Sequence, residues 1–109
     1  MIFLLIFKED LPVMSGIEEI SLPFKTSKEA RDNIMFIGLQ HELPRVWFNV
    51  KEEENQDFVL LTIGTGHDYG DLLEKEDYIG TVLVDGDYLV WHYFLLSKDE
   101  FAERFKNLK

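Results

Sequence analysis

Short apolar runs separated by polar turns dominate the pattern of this chain. Three such runs follow one another in the second half: Phe58–Ile63, Tyr78–Val84 and Tyr88–Leu95. Asp85 and Gly86 join the last two runs. Both positions of a tight hairpin turn need positive φ, which Gly adopts freely and Asp tolerates. The sequence therefore predicts an antiparallel hairpin turned at Asp85-Gly86.

A two-residue loop fixes the register predicted for this hairpin. It pairs Val84 with Asp87 and places Gly80 opposite Trp91, whose indole can cover the glycine backbone. Because side chains alternate between faces, the predicted faces are Val84, Val82, Gly80, Leu89, Trp91 and Tyr93 on one side, and Leu83, Thr81, Ile79, Tyr88, Val90, His92 and Phe94 on the other. Both faces are largely apolar, so we expect the pair to lie between two layers.

The first half of the chain has the same short period. Further strands are predicted at Phe3–Phe7, Ile17–Leu22, Ile34–Gln40 and Arg45–Lys51. The apolar start, Met1–Phe7, is too short to span a bilayer and is interpreted as a buried strand. Thr26 and Glu29 have the spacing of a capping box, which predicts a helical turn near Ser27–Asn33.

The period changes after the last strand. Ser97 and Glu100 form a second capping box, and Phe101, Phe105 and Leu108 are spaced i, i+4, i+7, so residues 98–108 are predicted to form an amphipathic helix. The apolar stripe of this helix is expected to pack on the protein's own sheet, with another subunit as the alternative. The expected fold is one mainly β domain over residues 1–109. Its architecture is an antiparallel sandwich or small open barrel of about seven strands with one C-terminal helix.

Composition and charge exclude several function classes. The 109 residues are 46% hydrophobic and include no cysteine, so neither disulfides nor thiolate chemistry is available. The formal net charge is −10, which argues against direct nucleic-acid binding because phosphate contacts need a basic surface. No membrane association is expected.

Acidic residues are concentrated in one part of the chain. Between residues 68 and 87 the only basic residue is Lys75, and the acidic ones are Asp68, Asp71, Glu74, Glu76, Asp77, Asp85 and Asp87. Two interpretations stay open. The segment is either a solvated loop that keeps a small protein soluble, or a surface that meets a basic protein partner.

Candidate chemistry lies in the same segment. His67, Asp68 and Asp71, together with His92 if the sheet brings it near, are side chains suited to acid–base catalysis or metal binding. No HExxH, nucleophile elbow or phosphate-binding loop accompanies them. We therefore predict neither a metal site nor a cofactor, and interpret His92 as a partly buried histidine with its hydrogen bonds satisfied. The loop from Gly66 to Asp77 is the predicted binding surface, with contacts from His67, Asp68, Tyr69, Asp71, Glu74 and Asp77.

Three segments resemble a family of small uncharacterised phage and prophage proteins. These are the GTGH segment at residues 64–67, the YIGT segment at 78–81 and the VWH-aromatic segment at 90–93. Residues 24–33 are longer than the family's usual connection, and the helix after Leu96 extends beyond many members. The resemblance implies a phage or mobile-element accessory protein in the cytoplasm of a bacterial host, and the family supplies no established activity to expect.

Two function classes follow from these observations. The first is a non-catalytic binding protein that engages a basic host or defence protein, or a small ligand. The alternative is a small hydrolase that uses His67 with Asp68 or Asp71. Because small β domains carry exposed sheet edges, self-association as a twofold homodimer is also predicted.

Overall fold

A computed structural model describes residues 5–50, 54–66, 72–86 and 89–106. The described residues form seven strands: β1 (Leu5–Asp10), β2 (Gly16–Leu22), β3 (Ile34–Gln40), β4 (Leu43–Val50), β5 (Gln56–Gly64), β6 (Tyr78–Val84) and β7 (Leu89–Ser97). They also form helix α1 (Ser27–Asp32), a 3₁₀ turn at Lys75–Asp77 and helix α2 (Lys98–Phe105). No helix in these ranges is long and apolar enough to cross a bilayer.

The strands form two antiparallel sheets that pack face to face. One sheet has the order β1-β4-β3 and the other β2-β5-β7-β6. The central strand β4 alternates between faces: Val46, Phe48 and Val50 are buried between the sheets, whereas Trp47 and Asn49 are on the opposite face. The predicted mainly β fold is therefore confirmed, and of the two architectures considered the structure is the sandwich.

Both helices begin at the caps that the sequence predicts. The Thr26 side chain accepts a hydrogen bond from the Glu29 backbone, and α1 buries Ala30 completely. Ser97 and Glu100 form a reciprocal capping box at the start of α2. The helix lies on the outer face of the four-stranded sheet, in a cluster formed by Val59, Leu61, Leu96 and Phe105 with Phe101 packed beside it. It ends at Phe105, and Leu108 lies outside the described residues.

The hairpin turn lies where the sequence predicts it, but the register of the two strands differs from the predicted register. Asp85 and Gly86 have φ of 53° and 63°, while Val84 pairs with Leu89 and Gly80 with Tyr93. The predicted pairs Val84–Asp87 and Gly80–Trp91 are therefore wrong, because the turn signal fixes the turn residues but not where pairing resumes. The error is two residues, so it preserves the predicted faces from Gly80 onward.

A bulge at the start of β6 changes the face of Ile79. Tyr78 pairs with Phe94 and Gly80 with Tyr93, which leaves Ile79 as the extra residue. Ile79 packs against the core between the sheets, not on the outer face as predicted. A bulge inserts one extra residue into a strand, so the side chains on either side of it exchange sheet faces relative to a regular strand. Tyr78 takes the outer position, and its ring lies 5.6 Å from that of Phe94.

Strand β1 is an edge strand and is not buried. Leu5 and Ile6 are 48% and 65% exposed, and only Phe7 of these first described residues packs on the core. Residues 1–4 lie outside the described ranges. The interpretation of Met1–Phe7 as a buried strand is therefore wrong for its described part, because an edge position leaves one side of the strand without a neighbouring strand.

Gly80 allows the two sheets to approach each other closely. A Cβ at this position would lie 2.4 Å from Cγ2 of Ile37 on the facing sheet, whereas a Cβ at Gly16 would meet nothing within 4 Å. We expect Gly80→Ala to lower the free energy of unfolding by about 1–3 kcal/mol through overpacking, and Gly16→Ala to change it little.

Urea denaturation of both variants tests this prediction. In an Ile37→Ala background, which removes the clashing atoms, Gly80→Ala should lower the free energy of unfolding by clearly less. Equal costs in the two backgrounds would show that Ile37 is not the constraint.

Candidate functional site

A chain of hydrogen bonds crosses the outer face of the four-stranded sheet. Thr65 Oγ1 lies 3.0 Å from His92 Nε2, and His92 Nδ1 lies 2.8 Å from Thr81 Oγ1. The Tyr78 hydroxyl hydrogen-bonds the same Thr81 oxygen. We call these four residues the hydroxyl–histidine chain.

The register of three strands assembles this chain. Thr81 on β6 is directly opposite His92 on β7, and His92 is opposite Ile63 on β5. Thr65 follows Ile63 by two positions, which returns it to the same face. The bulge brings Tyr78 to this face as well. The predicted binding loop begins immediately after Thr65, so the chain lies at its base.

His92 is fully engaged within the chain. Both ring nitrogens bond hydroxyl groups, which matches its interpretation as a satisfied histidine. Among the described residues none of its hydrogen bonds goes to a carboxylate. A neutral imidazole donates from one nitrogen and accepts at the other, so this arrangement orients Thr65 and Thr81 whichever tautomer is present.

The far end of the loop is fixed by a buried ion pair. Asp77 is 1% exposed, and its carboxylate accepts a hydrogen bond from the Arg104 guanidinium on α2. Arg104 also lies 3.8 Å from the Glu74 carboxylate and 3.5 Å from the Leu72 carbonyl oxygen. Burial opposes the charge on Arg104, but the hydrogen bond and charge of Asp77 outweigh it and raise the pKa of the guanidinium.

Backbone contacts and apolar packing complete this attachment. The Glu74 backbone N–H donates to Asp77 Oδ2 at 2.8 Å, and the Asp77 N–H donates to the Glu74 carbonyl at 3.0 Å. Leu72 and Leu73 pack against the apolar cluster under α2. The loop therefore returns to the sheet through a specific structure and not as a free turn.

The structure separates the predicted contact residues. His67, Asp68, Tyr69 and Asp71 lie outside the described residues. The Glu74 side chain is 61% exposed, whereas the Asp77 side chain is 2% exposed and its carboxylate is engaged by Arg104. Asp77 thus supports the loop from inside.

Sequence reasoning missed Arg104. The residue follows Glu100 by four positions, and this spacing indicates an ion pair along one helix face, which the structure has at 3.5 Å. Nothing in the sequence connects Arg104 with Asp77, because the two are 27 residues apart and meet only when α2 packs on the sheet.

Glu100 ties the two helices together. Its Oε1 atom accepts hydrogen bonds from the Ser27 hydroxyl at 2.6 Å and the Ser97 backbone at 2.8 Å. Burial opposes ionisation of this carboxyl, but these bonds and the nearby charge of Arg31 outweigh burial, so the pKa of Glu100 lies below its usual value. The α2 cap is therefore also a contact between α1 and α2.

Comparison with known protein families identifies a family for this chain. The model of a family described as a domain of unknown function (DUF7352) matches residues 5–103. The chain belongs to this family. The matched span contains the whole hydroxyl–histidine chain and Asp77, and ends one residue before Arg104. No curated protein and no solved structure matches the chain.

Candidate ligands for a metal are not grouped in the part of the chain that the structure describes. No cluster of three or more His, Asp or Glu side chains suited to a metal ion occurs within those ranges. The DUF7352 match adds no ligand set, so what the site can do is judged from its own geometry.

Asp77→Asn should destabilise the fold, because it removes the charge that compensates a largely buried Arg104. We expect a loss of about 2–3 kcal/mol in the free energy of unfolding, measured by urea denaturation. Glu76→Gln alters an exposed carboxylate one residue away and is the matched control, with an expected change within about 0.5 kcal/mol. Equal effects of the two substitutions would contradict a structural role for Asp77.

The lowered pKa of Glu100 predicts how its contribution depends on pH. A carboxyl whose pKa is lower in the folded state stabilises the protein above its unfolded pKa, about 4.3, and loses this effect as the pH falls through the folded value. The stability difference between wild type and Glu100→Gln should therefore be largest at neutral pH and shrink in acid. Denaturation at pH 7 and pH 3 measures it, with the exposed Glu103→Gln as control; a constant difference would contradict the prediction.

Proposed function

We propose that this protein is a non-catalytic binding protein that engages a basic protein partner through the loop of residues 66–77. The attachment of both ends of this loop to one sheet face supports the proposal. Thr65 is held by His92 before the loop, and Asp77 by Arg104 at its end. A segment fixed at both ends loses less conformational entropy on binding than a free one.

Charge supports a basic partner. With Asp77 neutralised by Arg104, the acidic residues left in residues 66–77 are Asp68, Asp71, Glu74 and Glu76, against Lys75. Glu74 and Glu76 are exposed. Clustered charge of one sign accelerates encounter with an oppositely charged protein and suppresses partners of like charge.

The resemblance to phage proteins supports the accessory role. Its three segments supply the members of the hydroxyl–histidine chain: Thr65 comes from GTGH, Tyr78 and Thr81 from YIGT, and His92 from the VWH-aromatic segment. The motifs that carry the resemblance thus meet at the base of the proposed binding loop. We infer a phage or mobile-element protein that binds a host or defence protein in the bacterial cytoplasm.

The hydrolase alternative has no observation of its own in its favour. His67, Asp68 and Asp71 lie outside the described residues, and His92 uses both ring nitrogens to hold hydroxyl groups. A histidine with both nitrogens engaged in this way holds the base of the loop in place, which is a structural role that suits a binding surface.

Removing the loop charge without disturbing its attachment tests the proposal. The loop variant is Asp68→Asn, Asp71→Asn and Glu76→Gln together, which leaves Asp77 and Glu74 in place. The control variant, Glu54→Gln, Asp57→Asn and Glu103→Gln, removes the same charge from exposed positions elsewhere. Each tagged protein captures partners from bacterial lysate, and a captured protein is then purified for binding measurements.

We expect a basic partner whose affinity falls about tenfold or more with the loop variant and changes little with the control. The salt dependence of binding should also become weaker in the loop variant, because fewer charges are screened. Retention of full affinity by the loop variant would place the binding surface elsewhere.

A further inference from the structure

The edge strands on one side of the sandwich carry charged side chains. β1 includes Lys8, Glu9 and Asp10, and β2 includes Glu18 and Glu19. Burial raises the pKa of the Glu9 carboxyl, and the charges of Asp10 and Glu18 raise it further. Because Glu9 is on β1 and Glu18 is on β2, these two edge strands lie close together. Charged edge strands resist pairing with another chain.

The edge strands on the other side carry none. β3 and β6 have seven residues each and contain no Asp, Glu, Lys or Arg. Ile37 of β3 packs on Gly80 of β6, so the two strands lie side by side. We call this pair of strands the uncharged side. Its exposed large apolar residues, each 44–59% exposed, are Met35, Phe36, Leu39, Tyr78 and Leu83.

We propose that the uncharged side is a self-association surface on which a second copy of this chain docks about a twofold axis, with edge strands antiparallel. Beyond the bulges, residues 36–40 and 80–84 are regularly paired on their inner side. As edge strands, their other side offers backbone groups to a new neighbour. An isologous contact of this kind closes on itself as a dimer.

The charge distribution favours a second copy as the occupant. Each copy carries a net charge of −10, so two copies repel each other, and they repel least where they meet without charged side chains between them. At one end of the uncharged side, the acidic residues Glu42 and Asp85 lie in the turns that follow β3 and β6. There they line a cleft of about 500 Å³ together with Leu39 and Leu83.

An antiparallel arrangement keeps these turn acids apart. A twofold axis across the strands places the turns of one copy at the opposite end from those of its partner. Seven residues of strand extend about 23 Å, well beyond the screening length of about 8 Å at physiological salt. The turn acids of the two copies are thus too far apart to repel each other strongly.

The size of the surface indicates a weak dimer. Two strands of seven residues, with the turns beside them, are at the low end of the about 20–30 residues per side in a standard interface. We therefore expect a dissociation constant in roughly the micromolar range. Because salt screens the repulsion between two acidic copies, dimerisation should strengthen as salt is added.

Single lysine substitutions at matched exposure test the surface. Leu39→Lys and Leu83→Lys place a charge on the uncharged side, at positions 45% and 44% exposed. Ile17→Lys is the control, because it is 45% exposed on the charged β2 edge and changes the net charge equally. Sedimentation over a wide concentration range gives the dissociation constant of each full-length protein, and circular dichroism with thermal melting confirms folding.

We expect wild type and Ile17→Lys to dimerise alike, and each of the other two variants to raise the dissociation constant about tenfold or more, since every dimer then contains two added charges in its interface. A monomeric wild type, or equal effects of all three substitutions, would overturn the proposal. The loop variant Asp68→Asn, Asp71→Asn, Glu76→Gln should keep its dimerisation, which separates this surface from the proposed partner site.

Discussion

The burial of β5 and β7 on both faces is the constraint on which the rest of the structure depends. Every residue of β5 from Phe58 to Ile63 is buried, and Leu95 and Leu96 of β7 are buried on opposite faces. A strand that is apolar on both sides needs a cover on each. The three-stranded sheet supplies one cover and α2 the other, with Leu72 and Leu73 beside it.

The boundary of this second cover lies beside the loop that we propose for binding. Along the outer face of β7 the side chains change from Leu96 and Phe94, next to α2, to His92 at the far end. The hydroxyl groups of Thr65 and Thr81 bond the histidine there. Residues 66–77 leave the sheet at the polar end and return to it at the apolar end, where Arg104 holds Asp77. The two described ends of the loop therefore lie on opposite sides of the boundary between the covered and the polar parts of one sheet face.

Local signals in the sequence predicted the elements, and contacts between distant residues determined what the sequence did not predict. The β3 strand has the predicted bounds, and the caps at Thr26 and Ser97 start their helices as expected, because each depends on neighbouring residues only. Pairing at Val84–Leu89 and the bulge at Ile79 depend on how facing strands fit together.

The candidate site divides in the same way. The chemistry of His92 could be anticipated from its neighbours Trp91 and Tyr93, which indicate a partly buried position. Its bonds to Thr65 and Thr81 could not, since they join residues 27 and 11 positions away. Asp77 was predicted as one of the contact residues of the acidic loop, and only the packing of α2 shows that Arg104 neutralises it.

Acidic charge has opposite consequences on different parts of this surface. Around residues 66–77 it would attract the proposed basic partner, so added salt would weaken that interaction by screening attraction. Between two copies it repels, so salt would assist the proposed association at the uncharged side. The two surfaces can act together, because β6 begins where the loop ends: a dimer joined along β3 and β6 would carry two acidic loops on one assembly. A partner with two basic sites would then bind more tightly than either loop alone allows, because the second contact forms at a high effective concentration.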